Sequence, residues 1–210
     1  MKKFLSILSI LLVSLLSTAC INNLAVQELN NKAKVYMDKG DYENAISRLE
    51  ASVDLDDTIF ETQYNLAVAY TYANKYKQAI AAFDKAINLK PTMAETYYSL
   101  GVAQENYAID LIKGEVKLNE DNLEENEEAS TDEEAAEELS KEEIAAIKEL
   151  YNQAIQSYEK YLEKSNNAKD KENVEAKISN IKTEIQKLDN PDFDATSMDT
   201  ENQNKSFSIQ

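Results

Sequence analysis

The 210-residue chain has no histidine, a single cysteine (Cys20), three glycines and two prolines. Without imidazole, and with one thiol at most, it cannot build His-based acid/base catalysis, a Cys-His dyad or a zinc site of imidazole or thiolate clusters. Glycine and proline lie well below the usual usage of about 7% and 5%, so few positions can interrupt a long helix and an all-α chain is expected. Basic residues are also scarce, 22 against 39 acidic ones, for a formal charge of −17. Phosphate backbones and anionic lipid surfaces would be repelled, which argues against nucleic acid as a partner. Carboxylates are the one catalytic chemistry left in quantity.

The first twenty residues read MKKFLSILSILLVSLLSTAC. Lys2 and Lys3 precede an uncharged run from Phe4 to Leu16, which is too short for a bilayer span of about twenty residues but suits the middle of a signal peptide. LSTAC resembles the lipobox of bacterial lipoproteins, with Ser17 where Leu is usual and Leu16 one place further out. That resemblance implies cleavage before Cys20 and acylation of its thiol, placing the mature protein on a membrane of the bacterial cell envelope. Loss of Lys2 and Lys3 takes the formal charge from −17 to −19. Acyl chains contribute about 0.8 kcal/mol per buried methylene, enough for two or three together to hold a soluble domain.

Tyr-x-x-Ala-Ile occurs three times, from Tyr42, Tyr76 and Tyr151. The first two copies stand 34 residues apart, a period that signals stacked supersecondary units. Around the second copy, Tyr76, Ala79, Ile80 and Phe83 share one helix face, and Leu66, Ala67 and Tyr70 share another. Bulky and small residues on facing helices permit close packing, and Asn74 and Gly40 stand where each first helix must stop in a left-handed conformation.

Leu66, Ala67, Tyr70, Tyr76, Ala79, Phe83, Ala86 and Pro91 together resemble the tetratricopeptide (TPR) repeat. The fold this implies is a right-handed superhelix of about three helix-turn-helix repeats, over residues 26–59, 60–93 and 94–168, closed by a capping helix at 169–189. Residues 1–19 are then a signal peptide, 20–25 a lipidated linker and 190–210 a disordered tail. The first repeat departs from the pattern at Lys32 and Asp57, as an end repeat does.

The third repeat opens with Tyr97, Leu100 and Gly101, but its hexapeptide tyrosine arrives at Tyr151 instead of position 110, a displacement of 41 residues. Its first helix is expected to run to Gly114, and its second to start at Ser140, where Glu143 completes a capping box. Both helices exceed the standard length and predict a protruding arm. The insertion, about 115–139, includes the run NEDNLEENEEASTDEEAAEEL, which holds eleven carboxylates and no base and reads as a solvated loop. Beyond it, Val174, Ile178, Ile181, Ile185 and Leu188 recur at helical spacing, a stripe suited to cap the array or, in competition, to form a short coiled coil.

TPR arrays bind peptides or helices of partner proteins along the concave surface of their first helices. By this resemblance the groove residues are Tyr64, Asn65, Val68, Tyr72, Tyr98 and Val102, with Asn30, Lys34, Met37 and Ser99 beside them. The chaperone-tail subtype uses Lys where Tyr64 and Tyr98 stand, and only Asn65 matches it, which argues against tail binding. The expected function is a lipid-anchored interaction scaffold with a protein partner, no catalytic residue, no metal and no cofactor. The competing class is a carboxylate-dependent envelope hydrolase or metal-binding protein using the acidic insertion.

Overall fold

The computed structural model describes residues 23–118, 139–165 and 168–190. Among them every regular element is an α-helix: α1 (23–37), α2 (Tyr42–Leu55), α3 (Phe60–Tyr72), α4 (Tyr76–Leu89), α5 (Ala94–Lys113), α6 (Lys141–Lys164) and α7 (Ala168–Asp189). The all-α helical-repeat fold expected from the sequence is the one observed. The chain divides into two compact units, and the division falls inside α5, after Ala103.

In the first unit, α1–α2 and α3–α4 are helical hairpins whose turns follow from local chemistry. Gly40 has φ +74° and Asn74 φ +57°, the left-handed conformation that glycine and asparagine tolerate best and that stops a helix. Asp41 caps α2 by accepting from the Asn44 amide at 3.3 Å. Between the hairpins, Asp56 Oδ1 accepts from the Thr58 amide at 2.9 Å, a turn that points the chain into α3.

The core of this unit is built on alanine. Ala33, Ala45, Ala67, Ala69, Ala79, Ala82 and Ala103 lie buried with Ile46, Leu49, Leu66, Phe83 and Leu100. Small side chains at the contact ridges let helix backbones approach, and the large ones fill what remains. Enlarging a site such as Ala79, which has no exposed surface, would cost about 1–3 kcal/mol in overpacking.

One polar knot interrupts that apolar packing. The Asn30 amide nitrogen lies 2.9 Å from both Ser52 Oγ and Thr62 Oγ1, and Thr62 Oγ1 donates back to Asn30 Oδ1 at 3.3 Å. Three helices, α1, α2 and α3, are thereby pinned in register. One period later the knot is missing: Tyr64 and Ala86 stand 34 residues after Asn30 and Ser52, and Thr96, the counterpart of Thr62, keeps a fully buried hydroxyl with no hydrogen-bond partner. The sequence period preserved the threonine without its partners.

The second unit packs the remainder of α5 with α6 and α7. The first helix of the third repeat ends where expected, with α5 closing at Lys113 before Gly114 at φ +71°. Ser140 and Glu143 form a reciprocal capping box at the start of α6. Its Glu143 carboxyl is held below the usual range by the Ser140 side-chain and backbone hydrogen bonds. Ile147, Tyr151, Ala154, Tyr158 and Tyr161 line the buried face of α6, and Val174, Ile178 and Ile181 of the α7 stripe are buried too, with Ile185 and Leu188 partly so. The three helices are tied by one polar cluster: Glu105 Oε2 accepts from the Tyr158 hydroxyl at 2.5 Å and from Lys177 Nζ at 2.9 Å, and the Lys177 ammonium sits 5.7 Å from the Tyr158 ring centroid.

Candidate partner-binding groove

The candidate groove lies wholly within the first unit, on α3 and the start of α5. Positions 61, 64, 68 and 72 fall on one face of α3, and 95, 98, 99 and 102 on one face of α5, by helical spacing. The two faces meet where the Tyr64 hydroxyl lies 3.1 Å from Ser99 Oγ, which fixes α3 and α5 side by side at that level.

Tyr64 is half-buried. Its ring meets Phe83 edge-on at 5.9 Å between centroids and stacks on Phe60 at 5.9 Å. It is therefore a fixed part of the floor, held on both sides by rings and at its tip by Ser99. Asn65, Tyr98, Ser99 and Val102 are also half-buried, and Val68 packs partly against the alanine core. Together these residues give a shallow, partly apolar strip edged with hydroxyl and amide groups.

Tyr72 is different. It remains 63% exposed, and its ring stacks almost parallel on Tyr42 of α2, 4.9 Å between centroids with 9° between planes. The structure thus places it at the C-terminal end of α3 beside the start of α2, as an exposed aromatic ledge. No spacing rule pairs residues 42 and 72.

Two flanking positions depart from the expectation. Asn30, expected to face the groove, is turned into the Asn30–Ser52–Thr62 knot and is unavailable to a ligand, because a buried threonine and serine offer its amide better-ordered partners than solvent does. Met37 packs partly against the core. Lys34 is exposed as expected. Polar residues at otherwise apolar repeat positions, Ser52 and Thr62, were the available sign that Asn30 had an internal partner. Behind the groove, burial, the hydrogen bond to Glu50 at 2.5 Å and the charges of Glu50 and Glu43 hold the Tyr70 phenol far above its ordinary range, so it is a neutral donor tying α3 to α2.

In the second unit, an open cleft of about 440 Å³ runs between α6 and α7, lined by Glu159, Leu162, Glu175, Ile178, Ser179 and Lys182. No group of three or more His, Cys, Asp or Glu is placed to hold a metal ion among the described residues. Cys20 and residues 119–138 of the acidic insertion lie outside the described residues. No described helix is long and apolar enough to cross a membrane.

Comparison with known proteins gives a consistent result. Residues 29–58 match the family model "Tetratricopeptide repeat" and residues 69–106 the model "TPR repeat". No curated protein matches the chain. Among solved structures, the chain is similar to the first TPR of Spaghetti (RPAP3) bound to an HSP90 peptide SRMEEVD, with 18% identity, 78% of this chain and 94% of that one covered, and a TM-score of 0.51. It is similar also to the second TPR domain of the human RPAP3 protein in complex with an HSP70 peptide SGPTIEEVD, with 17% identity, 77% and 98% covered, and the same TM-score of 0.51. At that identity the likeness concerns the fold alone. Sequence models and fold support one assignment: the chain carries tetratricopeptide repeats.

Proposed function

We propose that this protein is a non-enzymatic interaction scaffold of the bacterial cell envelope, anchored to a membrane through acylated Cys20 and binding a segment of a partner protein on the α3–α5 groove. The observation that carries the binding half is the strip of half-buried Tyr64, Val68, Tyr98 and Val102 held rigid by the Tyr64–Ser99 contact. Ordered aromatic and apolar side chains with hydroxyl tips bind a peptide at low cost, because little side-chain freedom is left to lose. Solved neighbours of the same fold hold peptides, which supports the reading.

The anchoring half rests on the leader and LSTAC. Replacement of Cys20 by Ala followed by cell fractionation tests it: the variant should leave the membrane fraction, and unchanged membrane association would refute the anchor. The partner half is tested by crosslinking from the groove in intact cells.

A further inference from the structure

The two helices of the groove carry charge of one sign only. From Phe60 to Tyr72 the sole charged residue is Glu61, and from Ala94 to Ala103 it is Glu95. They stand 34 residues apart, at equivalent places in successive repeats, and both are exposed. Each lies one helical turn before a groove tyrosine, Glu61 before Tyr64 and Glu95 before Tyr98, on the same face.

The surrounding cations are otherwise engaged. Lys75 pairs with Glu43 at 2.7 Å, Lys32 pairs with Glu28 at 2.7 Å, and the Lys90 ammonium sits 5.0 Å from the Phe60 ring centroid. On α1, exposed Lys34 is offset by exposed Asp38 one turn away. A terminal carboxylate or an acidic peptide entering between α3 and α5 finds no ammonium or guanidinium on either helix, and two like charges at the entrance. A lysine or arginine finds two carboxylates and the faces of tyrosine rings, which attract cations. The chain as a whole, at −17, steers a cationic segment toward it and an anionic one away.

Resting on the reading of this strip as a partner site, we propose that its occupant is a basic segment, with Lys or Arg spaced among apolar residues, held along its length and not by its terminus. Glu61 and Glu95 select the charge; Tyr98 and Val102 supply the contact area.

The test is selection of a random twelve-residue peptide library on the immobilised full-length chain, followed by affinity measurement of the enriched peptides against variants at low and high salt. Basic-apolar peptides should be enriched. Their affinity should fall about fivefold at low salt in the Glu61→Gln/Glu95→Gln double variant, since exposed charge pairs contribute about 0.2–1 kcal/mol each. It should fall less at high salt. The equally charged Glu159→Gln/Glu172→Gln control on α6 and α7 should change it little. Equal losses in both double variants, or enrichment of acidic or uncharged peptides that Tyr98→Ala still weakens, would overturn the charge selection and leave the groove standing. Absence of any enrichment, or peptides indifferent to both Tyr98→Ala and Val102→Ala, would overturn the groove itself.

Discussion

Thr62 and Thr96 occupy the same place in successive repeats, each the third residue of its helix and each fully buried, yet only Thr62 has partners. Replacing either by valine removes a hydroxyl, keeps the shape and changes helix propensity equally. At Thr62 the change breaks the exchange with Asn30 at 2.9 and 3.3 Å and should cost about 1–2 kcal/mol, the usual loss when a buried hydrogen bond is removed and its partner is left wanting. At Thr96 it removes a buried hydroxyl that has nothing to bond. Part of the desolvation penalty, about 1–3 kcal/mol for such a group, should be recovered, so stability should rise by about 1 kcal/mol.

The two variants thus move in opposite directions, separated by about 2 kcal/mol or more. Urea unfolding followed by helical circular dichroism reads this directly: with a slope of about 1–3 kcal/mol/M, the midpoints should differ by about 1 M. Both residues lie in the first unit, so the same transition reports both. Ala86→Ser, which restores the serine of the first repeat, should be better tolerated with Thr96 present than in Thr96→Val. Equal destabilisation by the two valine variants would refute the reasoning, because it would mean that Thr96 is as well bonded as Thr62.

Three further outcomes are expected. Gly40→Ala should destabilise the first unit by about 1–2 kcal/mol through backbone conformation alone, since a Cβ there meets nothing within 4 Å while φ is +74°; thermal unfolding checks it, and Gly40→Asn should cost less. Burial, with Glu184 and Glu105 nearby, pushes the Tyr151 phenol up to about 12. The unfolded chain therefore releases this proton first, and the second unit should lose stability as pH rises from about 10 toward 12, a loss that Tyr151→Phe should reduce in alkaline unfolding curves. Finally, a double-mutant cycle on Glu105→Gln and Lys177→Met should give a coupling of about 1 kcal/mol that weakens in salt, the pair being 2.9 Å apart with the lysine side chain 38% exposed.

The repeat architecture was legible because backbone punctuation and side-chain size are written locally. Asn74 and Gly40 announce left-handed helix ends, Ser140 and Glu143 announce a helix start, and the 34-residue spacing of alanine against tyrosine or phenylalanine announces paired faces. Helix ends obey short-range rules, so even the lengthened α5 and α6 could be placed. Side-chain partnerships across helices are another matter. A repeat pattern says which ridge Asn30 stands near, but whether it turns out to a ligand or in to Ser52 and Thr62 depends on residues 22 and 32 positions away. The Tyr42–Tyr72 stack depends likewise on how α2 and α3 close against each other. Tyr64 shows both sides of the limit: its place on the α3 face was readable, its engagement with Phe83, Phe60 and Ser99 was not.

The most direct measurement is site-specific photocrosslinking in intact cells, with a photoreactive residue in place of Tyr98 or Tyr72 and, as control, in place of exposed Lys85 on α4. One and the same protein, identified by mass spectrometry, should be captured from both tyrosine positions well above the Lys85 control. Equal capture from all three positions, or none from the tyrosines, would contradict the account.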